Sequence, residues 1–246
     1  MDFHLVPRGT DRNYTGFLTK TIVYIGTLVV LLASFGLTIS SIVIPKWVSY
    51  HSDKPDNHYS YGLHRRCSSL TDTCESFPQR EDCHGEDRYF CSMWRSVGFL
   101  VSFAVVLQGI GIVTYLVILS GGKRLRENGW SVLSLTVGLS AIVQAAGMSI
   151  VAFLFDNEDR FFVGWKLDQS WILCTISWCL SVFCAGAVIV AAKVLPSEGG
   201  YELIPDHDEL QTKRPVDLSR SLRLFYLLIS CFGVGAVYTF DRSGLW

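Results

Sequence analysis

The sequence predicts an all-α membrane protein: a four-helix transmembrane bundle with a small disulfide-braced β-sheet in the first outer loop. Three observations carry this. Four stretches of 22–25 residues contain no charged side chain. Four of the eight cysteines fall in one polar loop between the first two stretches. In that loop Tyr59, Tyr61 and Leu63 alternate with His58, Ser60 and Gly62.

The uncharged stretches are 21–44, 96–119, 130–154 and 170–191. A helix needs about 20 apolar residues to cross the hydrocarbon core. Backbone polar groups must be paired there, so helices are the economical reading. Only 17% of the 246 residues are charged, against roughly 25% in soluble domains. Those charges are bunched between the stretches, as expected if each buried charge costs roughly 2.5–3.5 kcal/mol. The lipid bilayer is thus the first expected partner. Residues 1–20 form a polar arm with Arg8, Arg12 and Lys20. The apolar stretch after it is longer than the 7–15 or so residues of a signal core, so it reads as a retained anchor. Residues 224–240 are uncharged too, but only 17 long. They are a candidate fifth span at the lower length limit, after a tail at 192–223.

Orientation follows the basic residues of the short loops. The loop 120–129 carries Lys123, Arg124 and Arg126, whereas 155–169 sets Arg160 and Lys166 among four carboxylates. The basic loop, the N-terminus and the tail are therefore expected in the cytosol. Loops 45–95 and 155–169 are expected outside or in a lumen. Trp47, Trp94, Trp130 and Trp171 lie at helix ends, the depth of an aromatic belt.

An outer loop is in an oxidising compartment, so Cys67, Cys74, Cys83 and Cys91 are expected as two disulfides. Four cysteines allow three pairings. Proximity alone favours Cys67–Cys74 with Cys83–Cys91. A zinc site is the rival, but there is no Cys-x-x-Cys, and His64 and His84 lack finger spacing. The turn formers of 53–57 separate 46–52 from 58–68 and predict a β-hairpin. The charged stretch 70–88 is expected to be irregular.

No metal, cofactor or catalytic constellation is expected. His51, His58, His64 and His84 are scattered, and the acidic run at 156–159 lacks calcium-loop spacing. The net charge of −1 and the lack of a basic patch argue against a nucleic-acid partner. No small-molecule substrate is evident, and the chain reads as a non-enzyme. Within the spans, Gln108 and Gln144 are expected to hydrogen-bond between helices. No ionisable residue marks an ion route beside them. After the fourth span, Tyr201 and Ile204 have the form of a cytosolic sorting signal. The internal His207-Asp208-Glu209-Leu210 is coincidental there, and the Asn13 sequon is expected to be unused.

Trp47 after the first span, Gly62-Leu63 before Cys67 and Cys74, and Arg95 at the mouth of the second span together resemble the claudin superfamily. That group includes peripheral myelin proteins, calcium-channel gamma subunits and fungal PalI-like proteins, and the uncharacterised fungal members are the most similar. The order and topology match over roughly residues 15–195. His64 stands where the family has a second Trp, and Cys83 and Cys91 are additional. The resemblance implies a left-handed bundle with an outer antiparallel sheet. It makes Trp47, Gly62, Leu63 and the Cys67–Cys74 pair fold-holding, with Arg95 packed against the sheet. It also implies a structural or organising role at the plasma membrane, through contacts with other membrane proteins or with itself. The alternative is an accessory subunit of a channel or transporter.

Overall fold

The computed structural model describes residues 20–195, apart from 54–55, 80, 85–87, 122–124 and 126–127. The basic triad at 123–126, the Tyr201 and Ile204 signal and the 224–240 stretch lie outside the described residues.

Four long helices account for most of it: α1 (Lys20–Val43), α2 (Arg88–Ser120), α3 (Trp130–Asn157) and α4 (Gln169–Val194). All four are long and apolar enough to cross a membrane. The bundle is apolar on its surface as well as in its core, and a set of polar side chains is buried within it. Ile25, Val29, Phe99, Val106, Leu135 and Phe183 are at least half exposed. Thr27, Ser34, Thr38, Gln108, Gln144, Ser177 and Ser181 are buried. An apolar belt of this extent is far beyond what a soluble monomer exposes. It is consistent with an integral membrane protein.

The helices overrun the uncharged stretches. α2 begins at Arg88, eight residues before position 96. Missing charge marks the apolar part of a helix, not its end. The turn of Arg88 to Arg95 simply continues the hydrogen-bonded rod outward. α4 is started by Asp168, whose side chain accepts from the Gln169 N–H at 2.7 Å, as an N-terminal cap does.

Five antiparallel strands sit at one end of the bundle, in the order β4-β3-β2-β1-β5. They are β1 (Val48–Asp53), β2 (Asp56–Tyr61), β3 (Arg65–Ser68), β4 (Thr73–Ser76) and β5 (Trp165–Leu167). The β1–β2 hairpin pairs Tyr50 with Tyr59 and His51 with His58. Three features differ from the sequence reading. The second arm of the hairpin is two strands, because the chain bends at Gly62, whose N–H donates to the Arg65 carbonyl at 2.8 Å. The 70–88 stretch is not wholly irregular: it holds β4, a 3-10 turn at Glu81–Cys83 and the first residue of α2. Its turn formers make the β3–β4 turn, where Asp72 takes the left-handed conformation (φ 49°) that Asp tolerates better than most residues. Finally, the loop after α3 supplies β5, pairing Val48 with Leu167 and Tyr50 with Trp165. One sheet is thereby assembled from both loops at that end.

Candidate functional site

Two places concentrate unusual chemistry: the braced sheet and a polar cluster in the middle of the bundle.

The sheet is fastened to the helices at several points. Trp47 is fully buried, and its indole N–H donates to the Ser41 carbonyl at 2.7 Å, tying the start of β1 to α1. Trp94 of α2, also fully buried, donates to the Gly62 carbonyl at 3.2 Å. The Asp168 N–H bonds the Trp47 carbonyl, and the Ser170 N–H bonds that of Lys46, each at 3.0 Å. Leu63 is buried between them. Phe77, Phe90 and Trp94 then form an aromatic layer, with Phe90 stacked on Trp94 at 5.5 Å. Tyr61 bridges this layer to Trp165 of β5 at 5.3 Å. Burial pushes the Tyr61 phenol above its usual value, partly offset by the Arg66 and Arg160 charges.

One disulfide, Cys67–Cys74, crosses β3 and β4 at the edge of the sheet, and a second, Cys83–Cys91, ties the 3-10 turn to the first turns of α2. Arg66 adds a fork of ion pairs to Glu75 and Asp82, each at 2.9 Å. Hydrogen bonding to Glu75 raises its already high pKa further. Pairing of Cys67 opposite Cys74 closes a small loop, and a cross-link of that size stabilises by about 2–3 kcal/mol. C67S/C74S is therefore expected to lose about that much, read as a lowered denaturant midpoint in detergent.

Arg95 departs from what the resemblance implies. It is exposed, and its guanidinium lies 4.0 Å from the Cys83 sulfur. The side chain of this turn that reaches the sheet is the neighbouring Trp94. Its large apolar ring can be buried with one hydrogen bond, whereas a guanidinium would need all its donors met. The signal was present in the sequence as the Trp directly before Arg95.

The second place links all four helices. Gln108 of α2 donates to Ser34 at 3.1 Å and Ser181 at 3.2 Å. Gln144 of α3 donates to Thr38 at 2.9 Å. Ser34 and Thr38 lie one turn apart on α1, and Ser177 and Ser181 one turn apart on α4. Their hydroxyls meet directly, Thr38 with Ser177 at 2.6 Å and Ser34 with Ser181 at 2.9 Å. The Ser177 hydroxyl also donates to the Ser34 carbonyl at 2.9 Å. With a longer bond from Gln144 to Ser177 at 3.4 Å, the interhelical bonds of Gln108 and Gln144 reach four partners outside their own helices. Such bonds average only about 0.6 kcal/mol in membranes, with a maximum near 1.7. Replacing Gln108 or Gln144 by Leu, which fills similar volume, is expected to cost no more than about 2 kcal/mol. Thermal unfolding in detergent, followed by alkylation of the buried Cys174 and Cys184, measures this.

No family model matches the chain, and no curated protein does. Function has to be argued from these two places. Among the described residues, no three His, Cys, Asp or Glu side chains gather as metal ligands. The rings of His51 and His58 lie 6.2 Å apart across the hairpin, tilted by 60°. The arrangement offers bracing: a disulfide-linked sheet at one end of the bundle, and helices joined by neutral hydrogen bonds.

Proposed function

We propose that this chain is a claudin-like integral membrane protein of the plasma membrane. It acts as a structural or organising component that presents its sheet to other membrane proteins or to further copies of itself. The observation that carries the reading is the double fastening of the sheet. The Cys67–Cys74 disulfide ties β3 to the edge strand β4, the Cys83–Cys91 disulfide ties the chain after it to α2, and two buried tryptophans fix the sheet to the helices. A surface held this rigidly loses little conformational freedom on binding. The tip before β5 offers the contact. Val163 is 99% exposed and Phe162 58%, and the Phe162 ring lies beside those of Tyr50 and Trp165. Loop disulfides suit an extracytosolic sheet.

Two differently tagged copies, expressed in one cell and cross-linked from outside with a membrane-impermeant amine reagent, test the reading. Co-recovery that F162S/V163S abolishes supports it. Where wild type gives no self-capture, mass spectrometry of the cross-linked species reads the second class of partner. Partners absent from both experiments sink the organising role. A parallel maleimide experiment on intact cells checks the orientation. Loop cysteines labelling from outside only after reduction support it, and labelling only after permeabilisation reverses it.

A further inference from the structure

An open groove of about 830 Å³ lies on the flank of α2 against the Cys83–Cys91 disulfide. Its wall changes character with depth. At the sheet end stand Arg88 and Arg95, with the hydroxyls of Ser92 and Ser96 between and below them. Further along the helix come Phe99 and Leu100. These positions repeat at three- and four-residue intervals, so they form one stripe of α2. The stripe continues to Phe103, whose ring is nearly parallel to that of Phe99 at 6.0 Å. Phe99 is 68% exposed. At 1.5 Å rise per residue, Arg95 and Phe103 are separated by roughly 12 Å along the axis.

We propose that this stripe binds one anionic glycerophospholipid, with the phosphate between Arg88 and Arg95 and an acyl chain along Phe99 and Phe103. The inference rests on the membrane-spanning reading. Charge complementarity selects the occupant. Among the described residues, no carboxylate is ion-paired with Arg88 or Arg95, whereas Arg66 has two. Arg95 has only the weak contact to a neutral sulfur. Glu86 and Asp87 precede Arg88 in the chain and lie outside the described residues. Arg88 also opens α2 with no acidic side chain in the first turn. A cation there opposes the positive end of the helix dipole, and an anion relieves both. Guanidinium forks match phosphate oxygens, and the Ser92 hydroxyl lies between the two arginines along the stripe, while the Ser96 hydroxyl is held by the Ser92 carbonyl at 2.9 Å. Along the stripe both cations precede the aromatic rings, as the headgroup precedes the chain in a lipid. A free phosphate would leave the aromatic half unused.

The test uses the full chain in nanodiscs that mix phosphatidylglycerol and phosphatidylcholine with the same acyl chains. Native mass spectrometry counts the lipids retained. Wild type is expected to keep one phosphatidylglycerol in preference to phosphatidylcholine. Each arginine should contribute roughly fivefold to that preference. R88Q/R95Q should bring the two lipids to parity, while K166Q, on β5, should leave the preference intact. Alkylation without reductant reports in the same sample whether the disulfides persist. If the double variant loses them, R88Q and R95Q are read singly. Equal retention of both lipids by wild type overturns the proposal. So does an undiminished preference in folded R88Q/R95Q, or displacement of the lipid by inorganic phosphate alone. Alkaline carbonate extraction of the host membranes comes first. Release of the chain into the supernatant would sink the membrane reading itself, whereas a pelleted chain without lipid preference sinks only the site.

Discussion

Trp47→Ala is expected to destabilise the protein by about 3–5 kcal/mol, the range for removing a fully buried large aromatic. Trp47 is completely enclosed at the junction of α1 and β1. The Ala variant loses the ring's packing and leaves the Ser41 carbonyl without the indole donor that lies 2.7 Å away. The two terms separate with a second variant. Trp47→Phe keeps much of the apolar volume and drops the hydrogen bond, so it should cost distinctly less than Trp47→Ala. Both are read from denaturant midpoints in detergent, using alkylation of Cys174 and Cys184, which are buried in the native bundle. A Trp47→Ala midpoint within error of wild type would show that the sheet does not depend on this anchor. The same variant should also weaken the sheet's display, because the indole bond to the Ser41 carbonyl is a side-chain tie between the start of β1 and α1. Its expected partner capture is therefore lower even at temperatures where the helices persist.

The helices were legible because their signal is local. A run without charge needs no knowledge of neighbours, and all four such runs in the described residues are helices. The β1–β2 hairpin was legible for the same reason, since alternation and turn formers lie within a few residues. What was not legible depends on distant partners. β5 is three residues long and exists because β1 offers an edge; nothing inside Trp165–Leu167 marks it. The polar cluster is the sharper case. Serines and threonines in apolar helices commonly bond a carbonyl one turn back, as Thr114 does to Ile110 and Ser40 to Gly36, both exposed. Ser34, Thr38, Ser177 and Ser181 look the same in sequence. Only their facing positions on α1 and α4 turn them into acceptors for Gln108 and Gln144. The glutamines could be singled out because an amide in the middle of an apolar run needs a partner, but their partners could not. Arg95 shows the opposite failure. A motif directed attention to a charged residue, while the contact with the sheet is made by the Trp beside it.

Gly62→Ala is expected to be strongly destabilising although it adds one methyl group. The new Cβ would lie 2.5 Å from the Pro45 Cα, 2.9 Å from the Pro45 Cβ and 3.1 Å from the Arg65 carbonyl oxygen. The nearest of these is main chain, and a proline ring is stiff, so no side chain can swing aside. The link from α1 to β1 must move away from the end of β2, against the Trp47 N–H bond to the Tyr61 carbonyl at 2.9 Å. Overpacking of this kind costs about 1–3 kcal/mol, occasionally more, and the rigid surroundings place Gly62→Ala at the upper end. The displaced Gly62 carbonyl is also the acceptor for Trp94, so both tryptophan anchors are disturbed by one substitution. Glycines elsewhere provide the control. Gly36 and Gly138 lie within helices and have nothing within 4 Å of an added Cβ. Alanine there should be neutral or stabilising by up to about 1 kcal/mol, from helix propensity. The three variants, unfolded side by side in detergent, should therefore differ in sign. If Gly62→Ala matched Gly36→Ala, the close approach of Pro45 to the sheet would be wrong, and with it the geometry that holds the sheet on the bundle.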